Sequence, residues 1–193
     1  MHLLDLYYQL HELPPEKEAT MQVVWQLTSD EDSPLYQKVK VKDDDKGTWV
    51  TNKHLAACLA PHTESGGCLA GKTTAQQSTI IKEYLKAIRA TWPAAFSDHR
   101  SHMLWRPMGL EIMLGVFDAA KHRCDLNSGK EYTEANFACA LEPLVGEQVA
   151  LPGGGAVALD WRRGEGALGA LSNMPGRRLI SKQLHDRLVQ ADA

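Results

Sequence analysis

Residues 80–93, Ile-Ile-Lys-Glu-Tyr-Leu-Lys-Ala-Ile-Arg-Ala-Thr-Trp-Pro, carry the clearest periodicity in the chain. Ile80, Ile81, Tyr84, Leu85, Ile88 and Trp92 recur at helical spacing and form one apolar stripe. Lys82, Glu83, Lys86 and Arg89 fall mostly on the other side. Thr73, with Gln76 three residues on, has the spacing of a capping box that opens the helix, and Pro93 marks its exit. A stripe of this kind is buried against other helices. The reading that grows outward from it is a mainly α, bundle-like domain.

Downstream, residues 103–120 are apolar almost all round (Met103, Leu104, Leu110, Ile112, Met113, Leu114, Val116, Phe117), which predicts a buried central helix. After a polar turn at Asp125–Lys130 comes a helix around Thr133–Leu144. Pro152-Gly153-Gly154-Gly155 reads as a flexible joint, and Leu179, Ile180, Leu184 and Leu188 mark a terminal helix. The expected organisation is a helical domain over 1–145, followed by a Gly-rich joint and helical appendage over 146–193. Upstream, Thr51 or Asn52 caps a helix through Leu55, Ala56 and Leu59 that ends at Pro61. Pro15, Glu16 and Glu18 open another, with Met21, Val24, Trp25 and Leu27 as its apolar face. Leu3, Leu4, Leu6, Tyr7 and Leu10 share helical spacing before Pro14-Pro15. Residues 35–41 instead alternate, Leu35, Gln37, Val39 and Val41 against Tyr36, Lys38 and Lys40, which predicts a half-buried strand. Thr48-Trp49-Val50 returns beside it, giving a minor β element, a short strand or hairpin, near 36–50.

The 193 residues suit one domain with a substantial core, and hydrophobic and charged contents of 44% and 23% are ordinary for a globular chain. A net charge of -3 offers no global attraction to nucleic acid or acidic membranes. Its distribution is uneven. Residues 1–45 hold ten acids against four lysines, and the rest holds 17 basic against 14 acidic residues, so an anionic partner would meet the later part. No apolar run approaches the roughly 18–20 residues of a membrane span, and Asp5 without a basic lead-in excludes a secretory signal. Cys58, Cys68, Cys124 and Cys139 show no CxxC spacing, which predicts free thiols and a cytoplasmic location.

Gly66-Gly67-Cys68-Leu69-Ala70-Gly71-Lys72-Thr73 fits the GxxxxGK[ST] phosphate-loop pattern letter for letter. That chemistry needs small residues so that amides surround phosphates, a lysine for their charge and a hydroxyl for magnesium. It also needs a buried apolar strand ahead of the loop. Pro61-His62-Thr63-Glu64-Ser65 is not one. Ala156 to Leu159 with Asp160 resembles a strand and its magnesium-binding acid, so an NTPase using Gly66, Gly71, Lys72 and Thr73 stays an alternative. Glycine flexibility and the Thr73 cap explain the same letters. His99, His102, His122 and Cys124 offer HxxH and HxC spacings without a recognisable zinc pattern, so neither metal nor cofactor is expected. No nucleophile elbow or Ser/Cys–His set stands out, the carboxylates Asp43–Asp45 sit in a polar turn, and no catalytic residue is named. Lys82, Lys86 and Arg89 share a helix face that could meet nucleic-acid phosphates, as could Arg177 and Arg178.

Several segments in order resemble the C-terminal portion of DGQHR-domain proteins, the group that includes the DndB-type proteins of DNA phosphorothioation systems. Leu3 to Tyr7 is similar to that family's leucine-rich segment, and Asp32-Ser33-Pro34-Leu35-Tyr36-Gln37-Lys38-Val39-Lys40 resembles its "DSPLYGRIK" stretch. Ile81 to Ile88 with Trp92-Pro93 is similar to its "NYFKAI…WP" helix, and Leu104 through Met113 to the helix after it. The resemblance covers roughly residues 1–120. The naming Asp-Gly-Gln-His-Arg motif and the half that contains it are absent, so the resemblance implies a truncated or separately encoded helical half. It implies a non-catalytic role in bacterial DNA modification, its regulation or phage defence, with DNA or a protein carrying the missing half as partner and no membrane. A docking module for that half is the remaining alternative.

Overall fold

The computed structural model describes residues 15–41 and 47–191. The expected helix at 3–10 and the turn at Asp43–Asp45 lie outside the described residues. In chain order the elements are α1 (Pro15–Ser29), β1 (Val39–Lys40), β2 (Val50–Thr51), α2 (Asn52–Thr63), α3 (Thr74–Thr91) and α4 (Pro93–Ser97). There follow α5 (Pro107–Leu114), α6 (Phe117–Asn127), α7 (Glu134–Leu141), a single 3-10 turn (Glu142–Leu144), β3 (Gln148–Ala150), β4 (Ala156–Ala158), α8 (Gly166–Ala170) and α9 (Met174–Gln190). The protein is mainly α with a minor β element, as its periodicity predicts.

The stripe on α3 organises the core. Ile81, Tyr84, Leu85 and Ile88 are fully buried, packed between α1 on one side and α7 on the other. Removing each from water contributes on the order of 1.5–3 kcal/mol. The capping box is present: Thr73 Oγ1 accepts from Gln76 N at 3.3 Å, and Gln76 Oε1 accepts from Thr73 N at 3.0 Å. Tyr84 stands edge-on to Phe117 and Phe137, with ring centroids 5.0 and 5.4 Å away, and donates its hydroxyl proton to Met113 O at 2.6 Å. An aromatic ring can be this deeply buried because its one polar atom has a partner.

Residues 35–41 are not an alternating strand. Leu35 and Val39 are buried, but Val41 is 47% exposed. Asp30 to Leu35 make successive turns, with Ser33 N donating to Asp30 O, Tyr36 N to Ser33 O and Lys38 N to Leu35 O. Backbone groups committed to turns are unavailable to a ladder. Pairing is left to Val39–Lys40 with Val50–Thr51, and it is parallel, so the element is no hairpin.

The predicted central helix is two. Gly115 separates α5 from α6, and a Cβ there would sit 2.2 Å from Ser181 Oγ on α9. α9 therefore crosses closely where the two helices meet. On α1, Val23, Val24 and Leu27 are buried while Trp25 is 38% exposed, so the apolar face is rotated from the predicted one. The Pro152–Gly155 segment is the turn of the antiparallel β3–β4 hairpin, closed by Leu151 N to Gly155 O and Gly154 N to Leu151 O, both 3.0 Å. Beyond it, Ile180, Leu184 and Leu188 of α9 join the same core as α3. Arg123 Nη1 reaches Leu188 O at 3.0 Å.

Candidate functional site

Pro61 does not end α2, which continues to Thr63. A proline inside a helix forfeits one intrahelical hydrogen bond. Bonds beyond the proline hold the last turn: Glu64 N donates to Ala60 O at 3.0 Å, Thr63 Oγ1 bonds Leu59 O at 3.1 Å, and the Thr20 and Thr63 hydroxyls meet at 2.8 Å. The consequence is that His62 sits on the buried face of a helix rather than in a loop.

The Gly66–Thr73 string joins α2 to α3, so a helix stands where a phosphate loop requires a strand. Gly66 and Gly71 have φ of +86° and +79°, the left-handed region that glycine enters without strain. Gly67 meets a different demand, since a Cβ on it would lie 2.4 Å from His62 O. The loop folds back onto the end of α2 through Gly67 N to Glu64 O (3.0 Å) and Leu69 N to His62 O (2.9 Å). Leu69 is fully buried, and the buried Gln77 of α3 donates to both Thr63 O and Leu69 O at 3.1 Å. Lys72 Nζ lies 5.8 Å from the Tyr132 ring centroid, and the Thr73 hydroxyl is engaged in the cap. Asp160 follows a strand of an antiparallel hairpin and chelates the guanidinium of Arg162, with Nε 3.1 and 3.0 Å from its two oxygens.

No family model, curated protein or solved structure matches the chain. Function has to be argued from geometry.

The fold-back brings Cys68 to His62 and to Asp118 in the first turn of α6. One donor atom from each of these three lies within 4.8 Å of the other two. His62 Nδ1 donates to Asp118 Oδ1 at 2.6 Å, and the His62 ring packs edge-on to Phe117 at 5.2 Å. The His62 hydrogen bond holds the Asp118 carboxyl below the usual carboxylate range, against partial burial, and a bond from Cys68 adds to it. Burial, then Asp118, pushes the Cys68 thiol well up, so it is not an activated nucleophile. Burial raises Cys58 to about 11 and Cys124 to about 12. All four cysteines are free.

His99, His102, His122 and Cys124 are not gathered. His99 lies against Trp49, centroids 5.2 Å apart; His102 Nδ1 donates to Asp98 O at 2.8 Å; His122 is exposed and Cys124 buried. Among the described residues, His62, Cys68 and Asp118 are the one His/Cys/Asp/Glu group within ligand distance. Sequence reading passed over it because His62 and Asp118 are 56 positions apart and Pro61 implied a loop. The close glycines around Cys68 were the available signal.

The basic face on α3 is largely occupied. Lys82 Nζ is 2.7 Å from Asp30 and 3.3 Å from Asp32; Lys86 Nζ is 2.5 Å from Asp32 and 3.2 Å from Glu83. These hydrogen bonds draw both carboxyls below the usual range and raise both ammonium groups. Arg89 lies over Phe96 at 5.5 Å. Arg177 pairs with Glu111 at 2.9 Å, while Arg178 is exposed. A groove of about 410 Å³ runs between α1 and α2, floored by Met21, Ala56, Ala57 and Ala60 and rimmed by Lys17 and Lys53. No helix among the described residues is long and apolar enough to cross a membrane.

Proposed function

We propose that this chain is a non-catalytic helical module of DGQHR/DndB type that serves DNA modification, its regulation or phage defence by docking onto a domain that carries the Asp-Gly-Gln-His-Arg motif. The observation that supports this reading is the ion-pair cluster between the most specific segment of the resemblance and the helix that is similar to the family's "NYFKAI…WP" helix. Asp32, which opens the Asp-Ser-Pro-Leu-Tyr stretch, pairs with Lys86 of the Tyr-Leu-Lys-Ala-Ile helix at 2.5 Å and with Lys82 at 3.3 Å. Two matches 50 residues apart in sequence thus make one structural unit, with a physical reason to occur together.

The same pairing favours protein over DNA as the direct partner. Lysines already neutralised by carboxylates release few counterions on meeting phosphates. The groove between α1 and α2, with its small-residue floor and charged rim, is the surface we assign to docking. Of the five basic residues singled out by the sequence, Arg178 is the exposed one.

The test is binding of the full chain to a separately purified domain bearing the Asp-Gly-Gln-His-Arg motif. A stable complex is expected, weakened at least tenfold by Ala57→Arg in the groove with the helical circular dichroism unchanged. Absence of binding would contradict the docking reading. A salt-dependent shift of duplex DNA, lost in a Lys82→Gln/Lys86→Gln variant, would move the function to direct DNA contact.

A further inference from the structure

We propose that His62, Cys68 and Asp118 form a three-ligand site for a zinc-type divalent cation, independently of the docking reading. The donors come from three separate elements: the last turn of α2, the glycine loop and the first turn of α6. They converge within 4.8 Å of one another. An imidazole, a thiolate and a carboxylate make a mixed N, S, O set, which suits zinc and its borderline-soft neighbours. The thiolate argues against calcium and magnesium, whose ligands are oxygens.

Preorganisation separates this group from a chance meeting of side chains. The residue before Cys68 has no room for a Cβ, because its backbone lies against His62 O. The residue after it is fully buried and bonded by its amide to the same carbonyl at 2.9 Å. Gln77 then ties the carbonyls of Thr63 and Leu69, on either side of the thiol, to α3. Cys68 is therefore held at both flanks by backbone bonds that its own side chain does not require. His62 is fixed by the Phe117 ring and has a side-chain exposure of 6%, whereas Asp118 is 50% exposed. Asp118 is thus the solvent-facing ligand through which a cation would enter, and three-ligand zinc sites take water as their fourth ligand.

Binding would release the Cys68 thiol proton to solvent, move the His62 ring proton from Nδ1 to Nε2 by exchange with solvent, and replace the hydrogen bonds that His62 and Cys68 make to Asp118 with bonds to the cation. Lys121, whose charge bears on Cys68, is already paired with Asp125 at 2.8 Å.

The experiment uses the full chain stripped by chelator, with cobalt(II) as the probe. One equivalent should bind with a sulfur-to-cobalt charge-transfer band that zinc abolishes. Cys68→Ser should remove the band, and Asp118→Asn should weaken cobalt binding at least tenfold. Cys58→Ser and Cys139→Ser should leave both unchanged. No charge-transfer band in the parent chain would overturn the proposal, as would a band that survives Cys68→Ser. If Cys68→Ser does not fold, the half-exposed Asp118 carries the test, and unchanged cobalt affinity in Asp118→Asn would equally overturn it. A parent chain that binds no cobalt yet loses thermal stability on Asp118→Asn would make the trio a hydrogen-bonded brace instead.

Discussion

Two glycine-rich segments of the chain, Gly66–Gly71 and Gly153–Gly155, are used by the structure in different ways. In the first, Gly67 lies against backbone of α2, and the flanking residues are tied to two helices. In the second, a Cβ on Gly153, Gly154 or Gly155 would meet nothing within 4 Å. Gly67 is glycine because its backbone must approach another backbone, whereas Gly154 and Gly155, like Gly66 and Gly71, are glycine because their turns need positive φ. Similar composition thus yields a clamp in one place and a simple reversal in the other. The letters alone matched a phosphate loop at the clamp, an alternative already opposed by the lack of a strand ahead of it, and a flexible joint at the turn.

Substitutions can break this contrast in order of size. Gly67→Ala should be the most damaging, at about 3 kcal/mol, because the methyl group meets main-chain atoms and not a yielding side chain. Denaturant unfolding would measure it. Gln77→Ala removes the tie that spans the clamp and takes its donor from Thr63 O, while Leu69 O keeps only the Lys72 amide at 3.2 Å; about 2 kcal/mol is expected, with faster proteolysis between Ser65 and Lys72. Gly154→Ala forces a side chain to φ +93° in open space, so about 1 kcal/mol of backbone strain is expected and nothing more. Gly153→Ala has neither positive φ nor a neighbour. Its effect on the thermal midpoint should be near zero or slightly stabilising, by about 0.5 kcal/mol at most. A Gly153→Ala cost equal to that of Gly67→Ala would erase the distinction.

The α3 stripe was legible in the sequence because periodicity, capping box and terminal proline agree with one another. Such agreement between local signals and burial is what sequence patterns report best. Elsewhere a local signal met a tertiary one and lost. Pro61 lies inside α2 because hydrogen bonds around Thr63 hold the last turn together. The apolar run at 103–120 breaks at Gly115, where α9 crosses so closely that a side chain would meet Ser181. The alternation at 35–41 was real in the letters but gave way to the turn chemistry of Asp30 and Ser33, whose side chains accept from Asp32 N at 2.9 Å and Leu35 N at 3.2 Å.

The site was less legible than the fold. Lys82 and Lys86 do share a face, as their spacing predicts, yet the acids that engage them come from the Asp30–Asp32 turn, about 50 residues earlier. Spacing along one helix says nothing about what a distant turn lays across it. His62, Cys68 and Asp118 likewise have no common period, and only the fold-back of the glycine loop unites them.

The central claim is that Gly66–Thr73 is a rigid clamp that presents Cys68, and native-state hydrogen exchange tests it most directly. The amide of Leu69, bonded to His62 O at 2.9 Å, should exchange only through unfolding of the core, with protection like that of the α3 amides. The amide of Gly154, bonded to Leu151 O at 3.0 Å in the hairpin turn, should exchange through local opening, orders of magnitude faster. Comparable, weak protection at Leu69 and Gly154 would contradict the account.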